Sequence, residues 1–328
     1  MRKSSSGNGG IEAKNYVSKY GRLQAELLHR YGFDAASRFV QLQSIPTRIH
    51  LLEGGSGDPV VLLHGGAGIG AEHIDVAARL SKRFRVIVPD RPGHGLSEAF
   101  DYKRCDLRQA SVEFVGALLD ELGLERAALV GNSFGGFMAV CFALAHPERV
   151  SKLVILGFFP GIDRKLPIMM RLMVTPVVGT ALSLTVGRTS MSNTRRFFAQ
   201  LIVAHIDRMP EELLELETLH SRRHQGSVSA LFRAGINIRG FRSRYVVGDQ
   251  LSHLKVPTTF LWGELDAFAT VEQGRAAAGR VPGGRFVLIP DAGHLASCDQ
   301  PEATARLLEQ ELHDSSVTNR PLASPASI

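Results

Sequence analysis

Cysteine is scarce in this chain: Cys105, Cys141 and Cys298 are an odd, scattered set among 328 residues. That excludes a disulfide framework, and the spacing fits no metal site, so reduced, buried thiols are expected. A secretory leader is also missing. Met1-Arg2-Lys3 runs into Ser4-Ser5-Ser6-Gly7 with no apolar core and no cleavage site, which favours the cytoplasm. Aromatics make up 7% of the chain and are not interleaved with its arginines, so a groove that stacks bases is excluded and no nucleic-acid partner is expected. No clean membrane span appears either. Residues 166–186 are almost wholly apolar, but Pro167, Arg171, Pro176 and Gly179 interrupt them, which suits lid helices better than stable membrane insertion.

What is present is a globular chain with 44% hydrophobic residues, enough for one large α/β domain with an insertion or for two ordinary domains. The net charge is +6, and its location is informative: residues 157–250 hold 12 Arg and one Lys against seven acids, a surplus of 6. The whole excess therefore lies in one segment. A solvated basic surface explains it most simply; attraction of an anionic substrate is the alternative.

The chain opens with a Ser/Gly-rich stretch, 1–12, expected to be disordered. An amphipathic helix follows over 15–31, with Tyr20, Leu23, Leu27 and Leu28 on one face. Residues 38–52 alternate polar and apolar residues as an antiparallel hairpin does. Strand-like runs at 60–63, 85–88, 127–130 and 152–156, wholly apolar at 60–63 and 127–130, then alternate with helical patterns at 71–82, 107–122 and 137–146. Such runs are strands buried on both faces, and the alternation means βαβ units in a doubly wound, mostly parallel sheet. From 158 to 250 the rhythm breaks into helical text holding five of the seven methionines: Met169, Met170, Met173, Met191 and Met209. It resumes with a strand at 258–262, a helix at 271–280, a strand at 285–289 and a helix at 301–313. The resulting division is an N-terminal extension 1–37, a core 38–157, a helical cap 158–250 inserted after the sixth strand, a second core part 251–313, and a disordered tail 314–328. The cap belongs over the carboxyl ends of the strands, where open α/β sheets bind ligands.

The strand at 127–130 runs into Gly131-Asn132-Ser133-Phe134-Gly135, the Gly-x-Ser-x-Gly of a nucleophile elbow. That turn strains the serine backbone and leaves no room for a Cβ at 131 or 135. Alone the pentapeptide is weak evidence; context carries it. A serine needs a base, and the base needs a carboxylate to fix its tautomer. Asp266, in Gly263-Glu264-Leu265-Asp266, follows one strand, and His294, in Asp291-Ala292-Gly293-His294, follows the last. Asp163 is a substitute for the acid. Asp291 and Glu264 read as capping or solvated groups, and Arg91 and His94 as parts of a shaped turn.

These residues, with His64-Gly65-Gly66 after the strand at 60–63, resemble the α/β-hydrolase fold superfamily, of the lidded serine esterase and meta-cleavage-product hydrolase type. The resemblance covers about 60–156 and 256–312. It implies Ser133, Asp266 and His294 as catalytic triad, and the backbone N–H groups of Gly66 and Phe134 as oxyanion hole. His64, Gly65, Met169, Met173, Arg188 and Phe197 are carried as candidate substrate-binding residues. No metal or organic cofactor is expected.

The expected reaction is hydrolysis of a carboxylic ester of a fairly apolar small molecule through an acyl-enzyme. Its rival is carbon–carbon hydrolysis of a vinylogous 1,5-diketone, which needs a cation for the substrate's carboxylate; Arg188, Arg195, Arg196 and Arg208 are the candidates. A non-catalytic small-molecule receptor is the reading from another class. The oligomeric state is left open, a homodimer included.

Overall fold

The computed structural model describes residues 6–166, 168–175 and 190–313, with only the backbone given for 6–13, 169 and 173. The expected disordered tail, 314–328, and Arg188 lie outside the described residues, as does most of the apolar run in the cap.

Among the described residues ten strands form: β1 Ala35–Leu42, β2 Thr47–Gly54, β3 Pro59–Leu63, β4 Arg85–Pro89, β5 Ala127–Asn132, β6 Val150–Leu156, β7 Ile236–Asn237, β8 Gly240–Phe241, β9 Thr258–Gly263 and β10 Arg285–Ile289. Eight of them make one sheet in the order β1-β2-β4-β3-β5-β6-β9-β10. The β1–β2 hairpin and the β2–β4 pairing are antiparallel, while β4, β3, β5, β6, β9 and β10 run parallel. Every residue of β5 and β9 is buried, as unbroken apolar runs require of strands covered on both faces. One covering layer is formed by the helices Leu107–Glu121, Phe134–Ala145 and Val271–Ala278, the other by Ser6–Tyr31, Ile74–Leu80 and Pro301–His313.

One expectation needs correction. The first helix starts at Ser6, so 6–12 are helical where disorder was expected. Gly7, Gly9 and Gly10 are weak helix formers, and their turns extend a helix already nucleated beyond Asn15, which costs less than starting one. That helix is firmly anchored to the rest of the chain. Tyr20, Leu23 and Leu27 are fully buried, each contributing about 1.5–3 kcal/mol, and Tyr16 Oη donates to the Gly95 carbonyl at 2.7 Å. It packs along the long cap helix Glu211–Gly235, with Lys19–Glu215 and Arg30–Glu212 pairs at 2.5 Å along the seam. Surface ion pairs are worth at most about 1 kcal/mol, so the apolar stripe dominates.

Among its described residues, the regular structure of the cap segment between β6 and β9 is helical apart from the short β7–β8 hairpin, which sequence periodicity had not suggested. The helix Glu211–Gly235 bends at His224 (φ −111°, ψ 17°), whose Nε2 sits 3.0 Å from the Gly95 carbonyl. The bend brings its second half across the carboxyl edge of the sheet, above Ser133.

Candidate active site

Ser133 follows β5 directly and adopts φ 52°, ψ −120°, one of two non-glycine residues with positive φ among the described residues. The turn is tight on both sides. A Cβ at 131 would lie 2.5 Å from the Gly135 carbonyl oxygen, and one at 135 would lie 2.1 Å from that of Leu63. Glycine is therefore required by close approach of backbones at both positions.

His294 and Asp266 come from the loops after β10 and β9. Nδ1 of His294 lies 2.9 Å from Asp266 Oδ2, with both side chains almost fully buried. The carboxylate also accepts the Phe158 N–H at 3.0 Å and the Phe268 N–H at 2.9 Å, so its orientation is fixed by backbone. Because Nδ1 is taken, Nε2 is the ring nitrogen left to receive a proton. The two loops are joined by the Leu265 N–H to Ala292 carbonyl bond at 2.8 Å. Asn132, beside the serine, donates through Nδ2 to the carbonyls of Leu156 and His294, both at 3.0 Å. It ties the ends of β5 and β6 to the histidine loop, a role sequence reasoning missed because an amide within an elbow motif looks like filler.

Behind Gly65 and Gly66 lies a buried basic cluster. Arg91, fully buried, donates from Nη2 to the carbonyls of Gly65 (2.6 Å) and Gly66 (3.2 Å), and its guanidinium lies 5.1 Å from the Phe134 ring centroid. His94 Nε2 stands 3.0 Å from the Gly66 carbonyl. In a trans peptide the C=O of one residue and the N–H of the next point opposite ways. Holding the Gly65 carbonyl toward Arg91 thus turns the Gly66 N–H away from Arg91, toward the cavity that Gly66 lines. Burial, reinforced by the Arg91 charge, holds His64 and His94 well below the ordinary imidazole range. Both are neutral near pH 7. His64 donates from Nδ1 to the Gly65 carbonyl and accepts the Arg91 N–H on Nε2, each at 3.0 Å, so it shapes the loop. It does not line the cavity, which corrects its candidacy as a substrate-binding residue.

The cavity, about 220 Å³, opens above Ser133 and is lined by Gly65, Gly66, Phe134 and His294 at its floor and by Phe158, Met170, Phe197, Phe198, Phe232 and Phe268 on its walls. Phe197 is there as expected; for Met169 and Met173 only the backbone is described. Glu72, buried at 6% exposure, adds a carboxylate to the lining, and the exposed Arg233 is the cation among its described residues. Arg195 pairs with Glu211, and Arg208 with Asp291 at 2.7 Å. Neither they nor Arg196 line the cavity. Asp163 caps its own turn through the Lys165 N–H at 2.6 Å, and the carboxylate on His294 is that of Asp266. Asp291, with φ 54°, is held by His205 at 2.5 Å and by Arg208; with Asp299, which accepts the N–H groups of Gly293, Ala204 and His205, it fastens the cap segment after Ile202 to the histidine loop.

Residues 58–301 match the sequence profile of the family described as alpha/beta hydrolase fold. The chain belongs to that family. Among its relatives is the 2-hydroxy-6-oxononadienedioate/2-hydroxy-6-oxononatrienedioate hydrolase of Burkholderia vietnamiensis, 31% identical over 287 residues, covering 84% of this chain and 94% of that protein. The 2-hydroxy-6-oxo-6-phenylhexa-2,4-dienoate hydrolase of Burkholderia cepacia is 28% identical, covering 79% and 89%. In three dimensions this α/β hydrolase is similar to the carboxylesterase CesB of Bacillus subtilis (TM-score 0.70, 23% identity, 92% and 99% of the two chains). It is likewise similar to the meta-cleavage product hydrolase CumD of Pseudomonas fluorescens IP01 (0.68, 22%, 85% and 98%).

Proposed function

We propose that this α/β hydrolase cleaves a carbon–carbon bond in a vinylogous 1,5-diketone of the meta-cleavage type, through Ser133, His294 and Asp266. The observation that carries the choice of bond is the relationship at 31% identity, along 94% of its length, to a hydrolase named for such a substrate. It favours carbon–carbon over ester hydrolysis, reversing the order expected from sequence.

The site supports the following chemistry. Ser133 Oγ adds to the substrate ketone while His294 Nε2 takes its proton and Asp266 stabilises the imidazolium. The N–H groups of Gly66 and Phe134 receive the charge on the ketone oxygen, each worth about 3 kcal/mol in the transition state. When the intermediate collapses, the carbon–carbon bond breaks and its electron pair delocalises into the conjugated dienol fragment, which takes the proton from His294. Water, deprotonated by His294, then adds to the acyl-Ser133 ester and releases the carboxylic acid.

Hydrolysis of an apolar ester is the second reading, and the lining favours it. A dienoate substrate brings a carboxylate that needs a cation, whereas the described walls are aromatic, with Glu72 buried among them and Arg233 exposed. The test compares kcat/KM for a phenyl-substituted meta-cleavage dienone with that for p-nitrophenyl esters of graded chain length, each against Ser133→Ala. Preference for the dienone by about 10²-fold or more supports the first reading; preference for the esters replaces it with the second.

A further inference from the structure

We infer that the cap face around the β7–β8 hairpin docks peripherally on an anionic lipid bilayer, presenting the cavity to the membrane surface. This goes beyond the bond that is cleaved and does not depend on it.

Five large hydrophobic side chains are strongly exposed among the described residues, and two of them, Ile168 (65%) and Ile238 (55%), belong to this face. Ile238 is at the turn of the hairpin. The hairpin is fixed beside the segment leading to Ile168: the Phe241 N–H donates to the Arg164 carbonyl at 3.0 Å, and Gly240 packs so closely there that a Cβ would lie 1.9 Å from that oxygen. Arg164, Lys165, Arg233 and Arg239 stand exposed around the two isoleucines. Among the described residues none of these four has a carboxylate within ion-pair distance; Asp163, the acid next to them in sequence, accepts the backbone Lys165 N–H and keeps its charge, so the four cations leave a clear positive surplus. Arg233 also lines the cavity, together with Leu166, Ile236 and Phe241 of the same strip, so the basic face borders the cavity.

The pairing of exposed isoleucines with unpaired cations selects the partner. A second copy of the chain would set four cations against four by two-fold symmetry, which is repulsive. A nucleic acid would satisfy the charge but leave the isoleucines in water, and the face presents no aromatic platform for bases. An anionic bilayer meets both demands: headgroups attract the cations while Ile168 and Ile238 enter the headgroup–acyl boundary. Docking of this kind needs no spanning segment, and no described helix is long and apolar enough to cross a membrane.

The test is flotation of the full chain with vesicles of phosphatidylcholine alone and of phosphatidylcholine mixed with phosphatidylglycerol. Wild type should float with the mixed vesicles, lose binding as salt is raised, and stay unbound on the zwitterionic ones. Each basic residue near the surface contributes about fivefold in partitioning, so Lys165→Ala with Arg239→Ala should weaken binding about 25-fold. Ile238→Ser should weaken it about tenfold. These positions are exposed, so thermal midpoints should stay close to wild type. Failure to float with either vesicle overturns the inference. So does flotation unaffected by the substitutions, or heparin retention without vesicle binding, which would point to a polyanion instead.

Discussion

Arg91→Met removes a guanidinium that touches no reacting atom and is fully buried, yet its effect on turnover should be large. Arg91 Nη2 makes the 2.6 Å bond to the Gly65 carbonyl and reaches the Gly66 carbonyl at 3.2 Å. A hydrogen bond from a charged donor is worth about 1.5–3 kcal/mol. Without it the Gly65 carbonyl keeps His64 Nδ1 at 3.0 Å and the Gly68 N–H at 3.3 Å, so the loop survives but its peptide planes can rotate. If the Gly66 N–H no longer points into the cavity, one oxyanion donor is lost, and kcat should fall about 10²-fold with KM changed less than about threefold. Stability should suffer less. Arg91 Nε and Nη1 are buried without hydrogen bonds, and burial lowers the pKa of the group, so removing it also removes an unfavourable desolvation. Methionine keeps apolar contact with the Phe134 ring. Stopped-flow kcat and KM, read beside the thermal midpoint and with Arg91→Lys as a partial replacement, decide the matter. A kcat within threefold of wild type in a folded Met variant would refute the positioning argument.

Three other outcomes are expected. Asp266→Asn should fold normally and lower kcat about 10⁴-fold, because an amide facing His294 Nδ1 no longer fixes the tautomer; single-turnover kinetics at pH 7 measures it. Gly157→Ala places a Cβ at φ +68° and 3.0 Å from Asp266 Oδ2. It should cost about 1–3 kcal/mol by urea unfolding and lower kcat at least about tenfold by shifting the carboxylate. Burial pushes the His73 pKa down to about 4, whereas an unfolded imidazole titrates near 6.5. Below pH 6.5 the unfolded chain takes up a proton the folded one refuses, so this stability is complete above about 6.5 and is lost as pH falls toward 4. The share from His73 amounts to about 2 kcal/mol between pH 7.5 and 5, and His73→Gln should reduce the pH dependence of the urea midpoint accordingly.

The sequence carried most of the core because a strand buried on both faces must be apolar along most of its length: β3 is from Val60, β5 is up to Gly131, β6 is from Leu153, and β9 is from Phe260 to Trp262. The elbow was legible for a different reason: two glycines are demanded there because a Cβ at either position would lie 2.1 or 2.5 Å from a backbone carbonyl oxygen. What escaped is held by contacts between segments far apart in the chain. Arg91 acts on a loop 25 residues earlier, Asn132 on a carbonyl 162 residues later, and Asp299 on cap residues some 95 positions before it. Nothing local marks these residues. The burial of Tyr20 and Leu27 under the cap helix was hidden for the same reason, since an amphipathic stripe states that a partner exists without saying which. Arg195 and Arg208 show the converse: a cation in the cap suggests an anion-binding role, but each is paired with a carboxylate, Glu211 and Asp291, outside the cavity.

The central claim is that Ser133 is a nucleophile activated by His294. Incubation with an alkyl fluorophosphonate, followed by intact mass and peptide mapping, tests it without a known substrate. A single adduct should form on Ser133 and none on Ser133→Ala, with labelling slowed at least about 10²-fold in His294→Ala. No adduct on folded wild type, or an adduct at another residue that persists in Ser133→Ala, would contradict it.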